Sequence, residues 1–270
     1  MEELFREEQQ LGWMDELSDS DAERIFGNTL HIASLAVVEE PQKLRVVHDG
    51  TNCVQVNHRI KTKDQARLPG AGEIKCLIAE WQTDGRQVFA LLGDVSKAHR
   101  RIKVRPEDWG FQACHLRPGR IWLNKVGSYG MAFVAYYWER AAATLLIRLL
   151  TYIAGERCSM EAFLFGDDFV YVADRQRQVE TIGFFIFVLV ALGTPFRWDK
   201  FRGGPEIGWI GYQVDWFHWA LEVSEKRGAW MATWLRDRML EGQVDLGDLE
   251  SVLGTPASRT TRGTRSRRHG

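Results

Sequence analysis

The stretch Ala162–Val172, AFLFGDDFVYV, sets two apolar, β-rich arms on either side of Gly166-Asp167. A two-residue connection that begins with glycine is a strong hairpin signal, because glycine supplies the positive φ of a type II′ turn without steric penalty. An antiparallel strand pair is therefore expected here, with Asp167 and Asp168 at its tip. Working outward, Tyr129–Ala154 is rich in Ala, Leu and aromatics, lacks proline, and predicts a long helix. Val179–Leu192 predicts a second helix, stopped by Gly193 and Pro195. Leu44–Asp49 and Gln87–Val95 read as short buried strands. Trp209–Val214 and Ala220–Val223 predict another antiparallel pair, and Glu225–Leu240 a final amphipathic helix. Hairpins and helices mixed in this order predict an α+β fold, an antiparallel sheet packed on helices.

The chain has 270 residues, enough for a sizeable core in one large domain or two small ones. Its 45% hydrophobic and 26% charged residues fit a globular protein and exclude a wholly disordered one. A formal net charge of −1 argues neither for nor against a nucleic-acid partner, so the placement of charge carries the information. At the N-terminus, Glu2, Glu3, Glu7, Glu8, Asp15, Glu16, Asp19, Asp21 and Glu23 stand against only Arg6 and Arg24. Solvated helix without chemistry is the expectation there. The stretch from Thr255 is arginine-rich and almost devoid of apolar side chains, which predicts disorder and an affinity for phosphates. Cys53, Cys76, Cys114 and Cys158 are widely spaced, so neither a zinc site nor a disulfide framework is expected. MEELFREEQQ has neither the basic nor the apolar region of a signal peptide. The apolar run Ile182–Leu192 is shorter than the roughly 20 residues a bilayer-spanning helix needs. An intracellular protein of cytoplasm or nucleus, with no membrane partner, is expected.

Two adjacent carboxylates in a tight turn between apolar strands raise each other's pKa unless a cation is near. A hard divalent ion relieves this, and Mg²⁺ takes one or two carboxylates together with substrate phosphates. A solvated turn would explain Gly-Asp-Asp by itself, since both residue types are common in turns. Asp94 shifts the balance. It ends the apolar strand QVFALLGD, 167 − 94 = 73 residues before the hairpin acid. On one edge of a shared sheet, the two carboxylates would hold two metal ions about 3.5–4 Å apart, which aligns attacking and leaving oxygens in phosphoryl transfer.

The ordered set of motifs resembles the palm and fingers of reverse transcriptases from retroelements. Asp94-Val-Ser-Lys-Ala-His99, with the later Trp109-Gly-Phe111, resembles the first palm motif, and Gly127-Ser-Tyr-Gly130-Met-Ala the second. Phe165-Gly-Asp-Asp168 resembles the third, the aromatic-x-Asp-Asp box, and Leu192–Lys200, LGTPFRWDK, the fourth. Trp209-Ile-Gly-Tyr212 resembles the fifth, and Lys43-Leu-Arg45-Val-Val-His-Asp49 the fingers strand. The likeness spans about Ala36 to Gly254. It implies a right-hand polymerase palm with fingers and a truncated thumb. The acidic N-terminal segment would cover 1–30, fingers 31–86, palm 87–216, palm end and partial thumb 217–254, and the arginine-rich tail 255–270.

The same resemblance assigns roles. Asp94 and Asp167, with Asp168 nearby, would hold two Mg²⁺ ions, for which Mn²⁺ can substitute. These acids and Lys200 would be catalytic, Lys200 neutralising or protonating the leaving pyrophosphate. Arg45, Val95, His99, Tyr129 and Gly130 would meet the nucleotide, and Trp209, Gly211 and Tyr212 the primer or template. The implied partners are an RNA or DNA template with its primer and deoxynucleoside triphosphates; oligomeric state stays open. Some positions depart from the family pattern. His99 stands where Phe or Tyr usually excludes a ribose 2′-hydroxyl, which leaves sugar choice open. Tyr129 stands where glutamine is frequent. The sequence likeness stops at Gly254, where a thumb should continue, which predicts a weak grip on a duplex. Trp209 and Tyr212 fit core aromatics equally well. Phosphates of a duplex would meet His58–Lys63 with Arg67, and Lys97, Arg100, Arg101, Lys103 and Arg105. Two other classes compete: an inactive remnant that only binds nucleic acid, and another palm-type nucleotidyltransferase or cyclase.

Overall fold

The hairpin forms where the sequence places it. Met160–Phe165 and Asp168–Asp174 pair antiparallel, with Phe165 opposite Asp168 and Gly166-Asp167 as the connection. Gly166 adopts φ +63°, the region the turn requires. In this computed structural model, residues 1–40, 43–52, 54–64, 67–155 and 160–253 are described. The hairpin belongs to an antiparallel sheet ordered Arg202–Gly204, Val88–Asp94, Asp168–Asp174, Met160–Phe165.

Asp168–Asp174 is the interior strand that ties this sheet to its cover. Side chains alternate across a strand. Phe169, Tyr171 and Ala173 accordingly enter one layer, with Trp138 and Ala142 of helix Ala132–Ala143 and Ile182, Phe185 and Leu189 of helix Gln178–Ala191. Val170 and Val172 enter the other, against helix Ala71–Thr83 and a small sheet that supplies Ile207, Trp209, Val214 and Trp216. Burial on both faces is why this strand reads as an apolar run rather than as alternation. Each such large side chain contributes roughly 1.5–3 kcal/mol by leaving water.

The long helix starts at Ala132 rather than at Tyr129, because Gly130 takes φ +96° and Met131 is extended. It runs on through a π-type stretch, Thr144–Leu149, into Leu150–Ala154. Trp209–Val214 is not one strand. Glu206–Trp209, Tyr212–Asp215 and Ala220–Val223 form a three-stranded sheet, and Ile210-Gly211 turns between the first two with φ +44° and +83°. Helix Glu225–Glu241 is capped by Ser224, whose Oγ accepts from the Arg227 amide, and buries no residue completely; it is not the last, as the sequence suggested, because Leu246–Leu253 forms another helix that buries Val252.

The acidic N-terminus corrects the expectation of solvated helix. Helix Glu2–Gln10, strand Met14–Ser18 and helix Asp19–Phe26 bury Phe5, Met14 and Ala22. The strand pairs with Arg120–Asn124 in a second sheet, which continues through Ala113–Arg117 to Ile32–Ala33. Phe5 meets the Trp122 ring edge-on at 5.3 Å. A ribbon of Leu35–Glu40 and Lys43–His48 lies next in the chain. Cys76 and Cys114 are free thiols, Cys114 being pushed up to about 12 by burial; Cys53, Cys158 and the tail 255–270 fall outside the described residues. The α+β class, with antiparallel sheets against helices, is as expected. Among the described residues, no helix is long and apolar enough to cross a membrane.

Candidate functional site

The acidic residues converge through strand register. Asp94 ends its strand directly opposite Asp168, and Asp167 occupies the adjoining turn. The sequence suggested Asp167 as the neighbour of Asp94; the Cα partner across the ladder is Asp168. Asp167 remains exposed, Asp168 is half-buried, and Asp94 is only 2% exposed. The turn is tied down from two sides. The Trp138 indole donates to the Gly166 carbonyl at 2.8 Å, and the Val95 amide donates to the Asp167 carbonyl at 3.1 Å.

Packing sets the register as firmly as hydrogen bonding. Gly93 faces Phe169 across the ladder, and a Cβ at Gly93 would drive into the Phe169 ring. The ring also stacks on Phe196 at 5.5 Å, and Phe196 lies in the segment that resembles the fourth motif. There, Ser96 donates its amide to the Pro195 carbonyl at 2.7 Å, and Arg197 donates its amide to the Asp94 carbonyl at 2.9 Å. This segment delivers Lys200, whose ammonium engages the Asp94 carboxylate.

Charge at this edge is strained in a specific way. Burial pushes the Asp168 carboxyl up to about 6, and the Asp167 and Asp94 carboxylates push in the same direction against Lys200. Burial pulls the Lys200 ammonium down, but Asp94, Asp168 and Asp167 outweigh it and leave that pKa above the ordinary value. Three carboxylates thus share one adjacent ammonium, an excess of negative charge with hard oxygen donors. That donor set fits a hard divalent cation, which needs only one or two carboxylates beside substrate phosphates. Among the described residues, no group of three or more His, Cys, Asp or Glu side chains is arranged to hold a metal ion.

A cavity of about 350 Å³ opens beside these groups, lined by Asp94, Asp167, Lys200, Arg197, Lys97 and Tyr129 among others. Its floor is a buried polar network. Arg100, 5% exposed, donates to Asn124 at 2.8 Å and to the Gly127 carbonyl at 3.2 Å, and pairs with Glu8 of the N-terminal helix. Gln112 donates to the Asn124 and Val126 carbonyls and accepts from Ser128 at 3.1 Å. Arg100 is therefore held by the fold instead of projecting from the surface toward a duplex, as the sequence suggested. Asn57 clamps the start of the long helix by donating to the Gly130 carbonyl at 2.7 Å and accepting from the Ala132 amide at 2.9 Å.

The other expected residues divide cleanly. The His99 and Tyr129 rings meet at a tilt with centroids 5.0 Å apart, Tyr129 lining the cavity, and a Cβ at Gly130 would overlap the His48 carbonyl oxygen. Val95 is buried, with its side chain in the core. Trp209 is 3% exposed and packs on Phe163 at 5.7 Å, so its ring is a core aromatic. Gly211 lies in the turn that leads into strand Tyr212–Asp215, and the Arg227 guanidinium lies 5.4 Å from the Tyr212 ring; neither Gly211 nor Tyr212 lines the cavity. Arg45 pairs through its backbone with Val38, and its side chain lies outside the description. Sequence reasoning missed Glu8, His48, Asn57 and Arg197. A histidine directly after Val46-Val47 was the one local signal available.

No family model matches the chain, and no curated protein matches it. Among solved structures, a foamy viral protease-reverse transcriptase in complex with double-stranded DNA aligns at TM-score 0.64 and 14% identity. This chain shares that fold. The alignment covers 92% of this chain and 37% of that one.

Proposed function

We propose that the chain is a nucleotidyltransferase of the reverse-transcriptase kind, adding deoxynucleotides to a primer 3′-hydroxyl on an RNA or DNA template. The observation that carries this reading is the ladder register that opposes Asp94 to Asp168, with Asp167 at the adjoining tip and Lys200 on Asp94, beside a cation-lined cavity. The likeness in fold to a reverse transcriptase supports it. In this reading 87–216, which holds the four-stranded sheet, is the palm, 31–86 forms the fingers, and 217–254 is the palm end and a partial thumb.

Asp94 and Asp167 would hold two Mg²⁺ ions, or Mn²⁺ in their place, with Asp168 completing the field. When bound, such ions activate the attacking hydroxyl and offset charge on the transferring phosphate. Lys200 then has pyrophosphate oxygens to neutralise in place of Asp94. By the resemblance, Arg45 would offer its planar fork of donors to the triphosphate. Tyr129 and His99 wall the sugar side, where the smaller, polar imidazole leaves the 2′-hydroxyl a partner. Val95 and Gly130 offer backbone at close approach, and Gly211 and Tyr212 lie on the hairpin assigned to the primer, which Trp209 anchors in the core.

The test is extension of oligo(dT) on poly(rA) with dTTP and Mg²⁺. Asp94→Ala and Asp167→Ala should each reduce extension by on the order of 10³-fold, the scale of losing several kcal/mol of charge stabilisation. Undiminished extension by either variant would sink the metal assignment. The Lys200–Asp94 pair favours one second reading, a remnant whose metal position is filled by its own ammonium. That reading predicts a gel shift with the duplex and no extension at any Mg²⁺ or Mn²⁺ concentration.

A further inference from the structure

His48 ends the strand Lys43–His48 and lines the same cavity, yet nothing above uses its side chain. It is 2% exposed, and neither ring nitrogen has a hydrogen-bond partner within the protein. Buried polar side chains are nearly always paired, so an orphan donor and acceptor on a cavity wall points to a partner from outside the chain. The ring is not there for want of anchoring. Its backbone amide donates to the Tyr129 carbonyl at 2.8 Å, and its carbonyl packs against Gly130. A phenylalanine would fill the same space without desolvating two nitrogens.

The cavity wall is of two kinds. Phe5, Met14, Leu35 and Val46 belong to one apolar cluster, and His48 stands two residues beyond Val46, on the same face of the strand. Lys97, Arg197 and Lys200 bring positive charge to the same cavity as Asp94 and Asp167. A ligand with a flat, largely apolar part carrying a few polar edges and a polyanionic part matches both. Burial depresses the His48 imidazole to about 4, so at neutral pH it offers one N–H donor and one lone-pair acceptor. A nucleobase edge presents the complementary pair.

We infer that His48 is a specificity-determining contact that hydrogen-bonds the nucleoside part of a nucleoside triphosphate, the base lying along the Phe5–Val46 wall and the phosphates toward Lys97, Arg197 and Lys200. The inference rests on the nucleotidyltransferase reading of this cavity. It extends that reading to a position where the family resemblance assigns no role.

Isothermal titration of the full chain with dTTP and, separately, with inorganic tripolyphosphate tests it, Mg²⁺ being present in both. His48→Phe should weaken dTTP about tenfold, the scale of one hydrogen bond to the ligand, and leave tripolyphosphate unchanged. His48→Gln, which keeps a donor and an acceptor, should recover part of the loss. Because both ligands are compared on the same variant, a partly destabilised protein lowers both and cannot mimic selective loss. If His48→Phe fails to fold, His48→Leu is compared with wild type on the same two ligands; a dTTP affinity that stays at the wild-type value overturns the inference. Wild-type binding of both ligands with His48 variants unaffected, or equally affected for both, likewise overturns it while the reading of the cavity stands. Wild type that binds neither ligand refutes the cavity's nucleotide reading, and the role of His48 with it.

Discussion

The strand Asp168–Asp174 and the helix Glu225–Glu241 are both rich in apolar side chains, and the fold treats them in opposite ways. Phe169 to Ala173 are consecutive, and each is at most 1% exposed, because layers cover both faces of the sheet. The helix has Trp230, Leu235, Met239 and Leu240 at 50–83% exposure and no residue fully buried. Stiffness is therefore concentrated where the carboxylates are held, and helix Glu225–Glu241 adds little to it. A site that needs charges placed to a fraction of an ångström is built on the first kind of element.

Breaking this contrast should be easiest at Phe169. Phe169→Ala empties a site in contact with both Tyr171 and Phe196, and should cost about 3–5 kcal/mol in urea unfolding. A loss under about 1 kcal/mol would mean the strand is not the keystone described here.

The next effect is on acid stability and concerns His48. Its folded pKa, near 4, lies below the ordinary value of 6.5, so the unfolded chain binds the proton more readily. Stability from this group is present above about pH 6.5 and is lost as pH falls toward 4, by up to roughly 3 kcal/mol. Asp168, pushed up to about 6, runs the other way and offsets part of this loss as pH falls through that range. Thermal melts of wild type and His48→Phe in metal-free buffer between pH 7 and 4 should therefore differ in slope, the variant losing less stability than wild type as pH falls because only the opposing Asp168 contribution remains. Parallel curves would contradict the depressed imidazole.

Gly93→Ala ranks third. The added methyl meets the Phe169 ring and should cost about 1–3 kcal/mol as an overpacked core, with extension activity falling because Asp94 is the next residue. Smallest of all, Trp230→Ser should change stability by no more than about 0.5 kcal/mol, since the ring is half exposed on a helix that buries nothing completely. A large loss there would show that the helix is integral to the sheet domain, and would remove the contrast altogether.

Legibility followed the same divide between local and non-local signals. The hairpin was readable because its turn chemistry and both arms lie within one short stretch. Asp94 was readable as a strand end, but its partner was not: facing Asp168 rather than Asp167 depends on register, which Gly93 and Phe169 fix by shape. The N-terminal segment looked like solvated helix because acids dilute its few apolar residues. Phe5 and Met14 become core only by meeting Trp122, more than a hundred residues away. The turn at Ile210-Gly211 was hidden because isoleucine is rarely found at positive φ, so a hairpin read as a continuous strand. The polar floor of the cavity, built from Glu8, Arg100, Gln112 and Asn124, has no periodicity for a local reading to find.

The two-sided burial of Asp168–Asp174 also bears on what kinds of change the gene can absorb. Substitutions within Phe169–Ala173 can trade one apolar shape for another. A single inserted or deleted codon there would invert every side chain beyond it, sending ring positions into the valine layer and misaligning Asp94 from its partner. The 72 residues between Asp94 and Asp167 (167 − 94 − 1) include several loops, and those loops are under no such restriction. Among diverging copies of this chain, gaps in an alignment should therefore gather between the two acids and avoid the seven residues that start at Asp168.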